Sequence, residues 1–143
     1  MSDTVLTKRE NGIMTITMNR PDVINALDME LCDALNREIL SVEQDNEIRC
    51  VVIRGGEQFM AGGDIKYFSE NIIGQGDDTR IMFESFINRV HRIIISIRRM
   101  PKPVVASVRG PAAGFGLSLV MACDLVIAAD DALFTLAYVN IGT

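Results

Sequence analysis

The order of apolar and polar residues predicts short strands that alternate with amphipathic helices. Residues 4–9 and 13–19 flank Asn11-Gly12, a dipeptide that favours a tight turn between antiparallel strands, so the chain is predicted to open with a β-hairpin. In its second strand Met14, Ile16 and Met18 alternate with Ile13, Thr15 and Thr17, which predicts one mostly buried face. Apolar residues at three- to four-residue spacing then predict an amphipathic helix. They are Leu27, Leu31, Leu35, Ile39 and Val42.

The rest of the chain continues this alternation. Apolar segments with the length of buried strands lie at 50–53, 104–108, 124–129 and, shorter, 133–136. A long amphipathic helix that contains Phe83 ends at Pro101, a short helix is predicted at 117–123, and the glycine-rich segment 71–78 is predicted to be a mobile surface loop. Strands that alternate with helices predict an α/β fold with βαβ units and a largely parallel sheet.

Composition supports one globular domain over residues 1–143. The chain is 48% apolar and 23% charged, which predicts a hydrophobic core rather than disorder. Its apolar runs are too short for a membrane span and its N-terminus lacks the basic and apolar parts of a signal peptide, so we expect a cytoplasmic protein. A net charge of −5 argues against nucleic acid as a partner.

Three cysteines also bear on the compartment and on metal binding. Cys32, Cys50 and Cys123 are widely spaced, odd in number and surrounded by apolar residues. We expect reduced, buried thiols, and neither a disulfide framework nor a metal site.

Two glycine-bearing turns, at 59–65 and 110–116, each follow a predicted strand. Small residues let a ligand approach the backbone, and the second turn opens into a helix, whose first N–H groups are unpaired. If the two turns face each other, they can supply two N–H donors to one carbonyl oxygen. The alternative is that both turns are structural. Gly114-Phe115-Gly116 also lacks the third glycine and the acidic residue of a dinucleotide-binding motif, so spacing alone leaves the function open.

Five segments resemble, in order and spacing, those of the crotonase superfamily, which contains the enoyl-CoA hydratases and isomerases. They are Asn19-Arg20-Pro21 with Asn25-Ala26-Leu27, Phe59-x-Ala61-Gly62-Gly63-Asp64-Ile65-Lys66, Pro101-Lys102-Pro103-Val104-Val105-Ala106, residues 109–116, and Cys123-Asp124-Leu125-Val126-Ile127-Ala128. The resemblance covers nearly the whole chain and corresponds to the N-terminal part of the family. It implies the crotonase (ClpP-like) spiral of ββα units with mostly parallel sheets, without the C-terminal helical part.

The resemblance also implies roles for individual residues. The backbone N–H groups of Gly63 and Phe115 are expected to form an oxyanion hole for an acyl-CoA thioester, which is a substrate rather than a bound cofactor. Lys66 is expected near the phosphates of coenzyme A, with Arg20 adding charge there; the alternative for Lys66 is a solvated surface lysine. Other contacts with the substrate are expected at Val23, Ala26, Ala61, Asp64, Ile65 and Gly114.

The acid–base positions depart from the family's pattern. The two glutamates of the hydratases correspond here to Ser118 and Tyr138, neither of which is an acid. Hydroxyl side chains do not act as bases near neutral pH, so the standard hydratase route is not expected. Isomerases of the family need one carboxylate, in some of them a few residues beyond the segment 137–142, and this chain stops at Thr143.

Other candidate bases remain open. Asp77, Asp78 and Glu84 flank a loop that borders the acyl pocket in relatives. Asp124 is expected to be a buried structural carboxylate, and His91 a surface or interface residue of the long helix.

Three hypotheses follow. The first is an enoyl-CoA isomerase or hydratase of fatty-acid or aromatic-acid degradation, whose acid lies downstream and which is a homotrimer or hexamer when full length. The second is a catalytically inactive acyl-CoA-binding fragment without the acid–base residue. The third, a nucleotide-binding α/β protein, lacks the phosphate-binding motif. We expect the sequence to be a fragment of a longer protein and to leave apolar surface exposed near its end.

Overall fold

A mostly parallel β-sheet forms the centre of the computed structural model, which describes residues 3–74 and 76–138. In chain order the strands are β1 Val5–Glu10, β2 Ile13–Met18, β3 Cys50–Gly55, β4 Val104–Val108, β5 Pro111–Ala113, β6 Leu125–Ala128 and β7 Leu133–Thr135. The main sheet has the order β1-β2-β3-β4-β6, in which β1 and β2 are antiparallel and the other pairs are parallel. Strands β5 and β7 form a second, parallel pair. The predicted α/β class is therefore confirmed.

The predicted hairpin is confirmed, and the backbone angles of its turn explain why Asn11 and Gly12 occupy it. Asn11 and Gly12 have φ angles of 52° and 76°. Both angles lie in the left-handed region that the central residues of a tight hairpin turn adopt, and asparagine and glycine tolerate it best. The turn sets the register in which Val5 pairs with Met18.

Four helices cover the sheet in the described chain: α1 Met29–Gln44, α2 Ile65–Asn71, α3 Thr79–Arg99 and α4 Phe115–Ala122. Helix α1 begins where the Asp28 side chain accepts a hydrogen bond from the Leu31 N–H at 2.8 Å. Helices α1 and α3 pack against each other through their apolar faces. The predicted stripe on α1 is confirmed, since Leu31, Leu35, Ile39 and Val42 are all buried.

One hydrophobic core joins the sheet to the helices. Ile16, Ile53 and Ala106 on neighbouring strands are fully buried, as are Leu35 on α1 and Ile93 on α3. Each buried leucine or isoleucine side chain contributes about 1.5–3 kcal/mol to the free energy of folding. The alternation of buried Met14, Ile16 and Met18 in β2 confirms that strand's pattern.

Helix α2 is the main element that the sequence pattern did not predict. It is seven residues long, and it begins where the Asp64 side chain accepts a hydrogen bond from the Tyr67 N–H at 3.0 Å. The boundaries of three other elements also differ: α3 begins at Thr79, α4 begins at Phe115, and a three-residue strand lies within the turn 110–116. In the predicted surface loop 71–78, Ile72 is buried against the core and residues 76–78 form a 3-10 turn.

The strand predicted at 124–129 is present as β6, Leu125–Ala128, at the edge of the sheet. Leu125, Val126 and Ile127 are exposed. Asp124 is exposed as well, although its carboxylate accepts a hydrogen bond from the Val104 N–H at 2.8 Å. Asp124 therefore has the structural role that we expected, but it is not buried as we expected. Within residues 3–74 and 76–138, no helix has the length and apolar character needed to span a bilayer.

Candidate functional site

The two glycine-bearing turns lie side by side. The Met60 N–H donates to the Pro111 carbonyl at 2.9 Å, and the Ala113 N–H donates to the Met60 carbonyl at 3.0 Å. These bonds form a parallel bridge between Met60 and Ala112. A Cβ atom added at Gly114 would lie 3.7 Å from the Cα of Gly62. The turns thus face each other, as the sequence predicted they could.

The first turn is also fixed from its other side by the segment before α1. Ala61 N–H donates to the Ile24 carbonyl at 2.9 Å, and Leu27 N–H donates to the Gly62 carbonyl at 2.7 Å. Asp64 N–H donates back to the Leu27 carbonyl at 2.9 Å. The Gly63 N–H takes no part in these hydrogen bonds and has no acceptor among residues 3–74 and 76–138.

In the second turn, Gly114 caps α4 with a backbone conformation of φ 50° and ψ −118° that side chains disfavour. Its N–H donates to the Thr135 carbonyl at 3.0 Å, and its carbonyl accepts from the N–H groups of Leu117 and Ser118. Phe115 is the first residue of the helix, where an N–H has no intrahelical acceptor. In the described part of the chain the Phe115 N–H, like that of Gly63, donates no hydrogen bond.

Gly63 and Phe115 line one groove, with a cavity volume of about 690 Å³. Its walls are mostly apolar. Helix α3 supplies Phe83, Phe86, Ile87, Val90, Ile94 and Ile95. Phe68 of α2 packs edge-on against Phe86, with ring centroids 5.0 Å apart. A ligand in this groove would meet apolar walls and two unpaired N–H groups.

The two positions that correspond to the family's acid–base residues also come together at this groove. Both Ser118 and Tyr138 line it, and the Ser118 Oγ lies 3.5 Å from the Tyr138 hydroxyl oxygen. The Ser118 hydroxyl also donates to the Gly114 carbonyl at 3.4 Å. The structure therefore places the hydroxyl groups of these two residues beside each other at the groove.

The residues expected to contact coenzyme A differ in exposure. Val23, Ala61 and Lys66 are exposed, whereas Ala26 is buried. Ile65 lies in the groove wall. The Lys66 side chain is 83% exposed and its Nζ lies 4.0 Å from a Glu70 carboxylate oxygen. This position suits either a phosphate contact or the solvated alternative.

Arg20 has a different role from the one expected. Its Nη2 lies 3.0 Å from the Asp28 carboxylate and 3.1 Å from the Asp64 carboxylate, and its guanidinium also donates to the Ala26 carbonyl. Because Asp28 caps α1 and Asp64 caps α2, Arg20 joins the beginnings of two helices. Two carboxylates already compensate its charge, so it is a structural cation rather than additional charge for a phosphate.

His91 is exposed on the surface of α3, as expected, but it also lines the groove. The sequence reasoning missed this second property. The signal was the spacing Ile87-His91-Ile95, which puts the imidazole on the same helix face as two groove residues. The other acids considered as bases, Asp77, Asp78 and Glu84, are exposed and do not contribute to the described groove lining.

The cysteines are free thiols, and two of the three are buried. Burial raises the pKa of Cys32 to about 12 and the pKa of Cys123 to about 12. The buried thiols therefore stay protonated near neutral pH and are unsuited to nucleophilic or metal-binding roles. Among the described residues, no group of three or more His, Cys, Asp or Glu side chains is placed to hold a metal ion.

Comparison with known proteins identifies the family. The family model described as enoyl-CoA hydratase/isomerase matches residues 8–143. The chain belongs to the enoyl-CoA hydratase/isomerase family. This crotonase-superfamily chain is 36% identical to 1,2-epoxyphenylacetyl-CoA isomerase of Escherichia coli (strain K12), in an alignment that covers 99% of the chain and 53% of that protein.

Other family members show how widely the fold is used. The crystal structure of an enoyl-CoA hydratase of Mycobacterium smegmatis superposes with a TM-score of 0.87 at 33% identity, over 97% of this chain and 52% of that one. The small ribosomal subunit protein mS47 of Schizosaccharomyces pombe is 32% identical, over 99% of this chain and 32% of that protein. The crotonase fold is thereby confirmed, and the chain spans about half the length of the first two of these proteins.

Proposed function

We propose that this family member binds an acyl-coenzyme A thioester and stabilises its enolate with the N–H groups of Gly63 and Phe115. One observation carries the proposal: both groups border a single apolar groove, and neither has an acceptor within the described residues. An unpaired N–H at a ligand groove is a donor that a substrate oxygen can use.

The chemistry follows from where negative charge develops. When a thioester loses a proton from the carbon next to its carbonyl, the charge moves to the carbonyl oxygen. Two donors that are already in position stabilise that oxygen without reorganisation, and apolar walls strengthen the interaction because they exclude water. The bridges from Met60 to Ala112 and from Leu27 to Gly63 support such fixed positions.

The coenzyme A part of the substrate is assigned to the surface beside the groove. Val23, Ala26, Ala61, Asp64 and Ile65 contribute mainly backbone and packing contacts, Gly114 leaves room for the thioester, and Lys66 contacts a phosphate. The exposure of Lys66 at the start of α2 supports this assignment. Coenzyme A enters as part of the substrate and is not retained between turnovers.

Within the family, the chemistry favoured is that of an enoyl-CoA isomerase rather than a hydratase, in fatty-acid or aromatic-acid degradation. Hydration needs two acid–base groups that act on water, and Ser118 and Tyr138 supply hydroxyls at those positions. The similarity to a protein named as an acyl-CoA isomerase supports the same choice. For the full-length protein we propose a cytoplasmic homotrimer or hexamer.

A second candidate is an acyl-CoA-binding chain without catalytic activity. It is favoured by the lining of the groove, which contains no carboxylate in the part of the chain that the structure describes. A relative named as a ribosomal subunit protein also indicates that family membership alone does not establish an enzyme.

Acetoacetyl-CoA tests the proposal because its enolate absorbs in the near ultraviolet and forms without a strong base. We expect the chain to bind acetoacetyl-CoA more tightly than free coenzyme A and to increase the enolate absorbance. Equal affinity for both compounds, measured by calorimetry, with no change in absorbance would overturn the proposal. Hydration of crotonyl-CoA at a rate typical of an enzyme would instead overturn the preference for isomerase.

A further inference from the structure

His91 borders the same groove as the Gly63 and Phe115 N–H groups, and it is the only histidine in the sequence. It lies on α3 between Ile87 and Ile95, each one helical turn away and also in the groove wall. Its neighbour Val90 is buried in the core. The face of α3 that carries Val90 therefore packs into the core, while the His91 imidazole lies on the exposed face of the helix.

The remaining groove lining offers few groups that exchange protons. In the described lining, His91 supplies an imidazole, Tyr138 supplies a phenol hydroxyl, and Ser118 adds a hydroxyl from α4. Along α3, the charged neighbours Arg92 and Glu84 contribute instead to a separate polar groove with Asp33 and Arg89. The groups that face His91 across its own groove are thus two hydroxyls and apolar side chains.

An imidazole is the side chain that most often serves as a general base in enzymes. In its neutral form, one ring nitrogen carries a lone pair that can accept a proton. Among the residues that the structure describes, neither ring nitrogen of His91 makes a hydrogen bond or an ion pair. The imidazole is accordingly able to approach a ligand in the groove.

Resting on the proposed function, we infer that His91 is the catalytic base that transfers a proton between two carbons of the bound acyl group. With a 3-enoyl thioester, the neutral imidazole takes a proton from the carbon next to the carbonyl. The C–H electron pair becomes a double bond between the α carbon and the carbonyl carbon as the carbonyl π electrons move to the oxygen, which the Gly63 and Phe115 N–H groups hold.

The reverse transfer completes the reaction. As the oxygen's electrons re-form the carbonyl, the enolate double bond shifts to become the α,β double bond. The electrons of the former β,γ double bond take the imidazolium proton at the γ carbon, and the product is the 2-enoyl thioester. His91 returns to its neutral form, and no water, oxidant or second substrate is consumed. A single base that moves along the groove from the α to the γ carbon is sufficient for both steps.

The test separates proton transfer from enolate binding. His91→Gln keeps a polar side chain but removes the base, and Arg92→Gln is a matched control on the same helix, outside the groove lining. The first readout is the exchange of the α protons of butyryl-CoA with deuterated water, followed by mass spectrometry. The second is the enolate absorbance of bound acetoacetyl-CoA.

We expect His91→Gln to lower the exchange rate by about 10²–10⁴-fold, the usual contribution of a general base, while Arg92→Gln exchanges like the wild type. Arg92→Gln should also bind the enolate like the wild type, and His91→Gln should lose much less enolate affinity than exchange rate. Added imidazole should partly restore exchange in His91→Ala.

Other outcomes overturn the inference in distinguishable ways. If His91→Gln exchanges at the wild-type rate, or if the wild type binds the enolate without catalysing exchange, His91 is not the base and the proposed function stands. If the wild type neither binds the enolate nor catalyses exchange, the proposed function fails together with the inference.

Discussion

The backbone N–H of Ala113 donates to the carbonyl oxygen of Met60 at 3.0 Å, and this hydrogen bond joins the two turns that carry Gly63 and Phe115. The separation of the two proposed donors therefore depends on backbone contacts between turns that lie about fifty residues apart in the sequence. A substitution that disturbs the contact between the turns should weaken enolate binding even if it leaves the groove lining unchanged.

Gly114→Ala is such a substitution. At φ 50° and ψ −118°, a Cβ atom is strained, and we expect a loss of about 1–3 kcal/mol in the free energy of unfolding together with weaker enolate binding. Gly56→Ala is the matched control, because a Cβ atom there meets nothing within 4 Å. Urea denaturation compares the two variants. Equal stability of both would show that the conformation of Gly114 is not constrained.

Gly63→Ala tests how closely Phe68 approaches the first donor. A Cβ atom at Gly63 would lie 2.7 Å from Cε2 of Phe68, so the ring has to move and the groove wall shifts with it. We expect a loss of stability of about 1–3 kcal/mol, which Phe68→Leu should partly relieve in the double variant. A double-mutant cycle measures this coupling, and strictly additive effects would contradict the contact.

Arg20→Gln tests the cation that joins the beginnings of α1 and α2. The carboxylates of Asp28 and Asp64 are each 12% exposed, so removal of Arg20 leaves two like charges close together with little solvent. We expect a loss of about 2–4 kcal/mol in the free energy of unfolding. The control is Lys8→Gln, which breaks an exposed ion pair with Glu10 and should leave stability nearly unchanged. Similar losses in both variants would contradict a structural role for Arg20.

The buried cysteines make the free energy of unfolding depend on pH, in a direction that follows from their raised pKa values. Burial raises the pKa of Cys123 from its ordinary value of 9.0 to about 12. The unfolded chain therefore loses this proton at a lower pH than the folded chain does. The stabilisation is fully present below pH 9 and is lost as the pH rises towards 12.

We expect urea midpoints to fall over that range in the wild type and to fall less in Cys123→Ala. At pH 8, half-buried Cys50 should react with iodoacetamide before Cys32 and Cys123. Equal labelling rates for the three thiols in the folded chain would contradict the described burial.

The sequence predicted the elements whose signals are local. The turn at Asn11-Gly12, the apolar stripe on α1 and the alternation in β2 each depend on spacing within one segment, and all three are confirmed. Helix α2 was missed because it is short and has a weak apolar period. Its beginning depends on Asp64, whose carboxylate also pairs with Arg20, 44 residues away.

The candidate site also combines features with a local sequence signal and features that depend on tertiary contacts. The two glycine turns were recognisable because a ligand-binding turn needs small residues, but their contact through Met60 and Ala113 is tertiary. The position of His91 in the groove wall depends on how α3 packs against α4, and the double role of Arg20 depends on two helix caps. The exposure of Leu125 and its neighbours depends on which strand faces other elements cover, which apolar content alone does not indicate.

The most direct test of the central claim compares Phe115→Pro with Phe115→Ala. Proline suits the first position of a helix and removes the N–H group, whereas alanine keeps it; both variants lose the aromatic ring. We expect Phe115→Pro to bind the acetoacetyl-CoA enolate about 10²–10³-fold more weakly than Phe115→Ala, with the same circular dichroism spectrum. Equal enolate affinity of the two folded variants would contradict the assignment of the Phe115 N–H as an oxyanion donor.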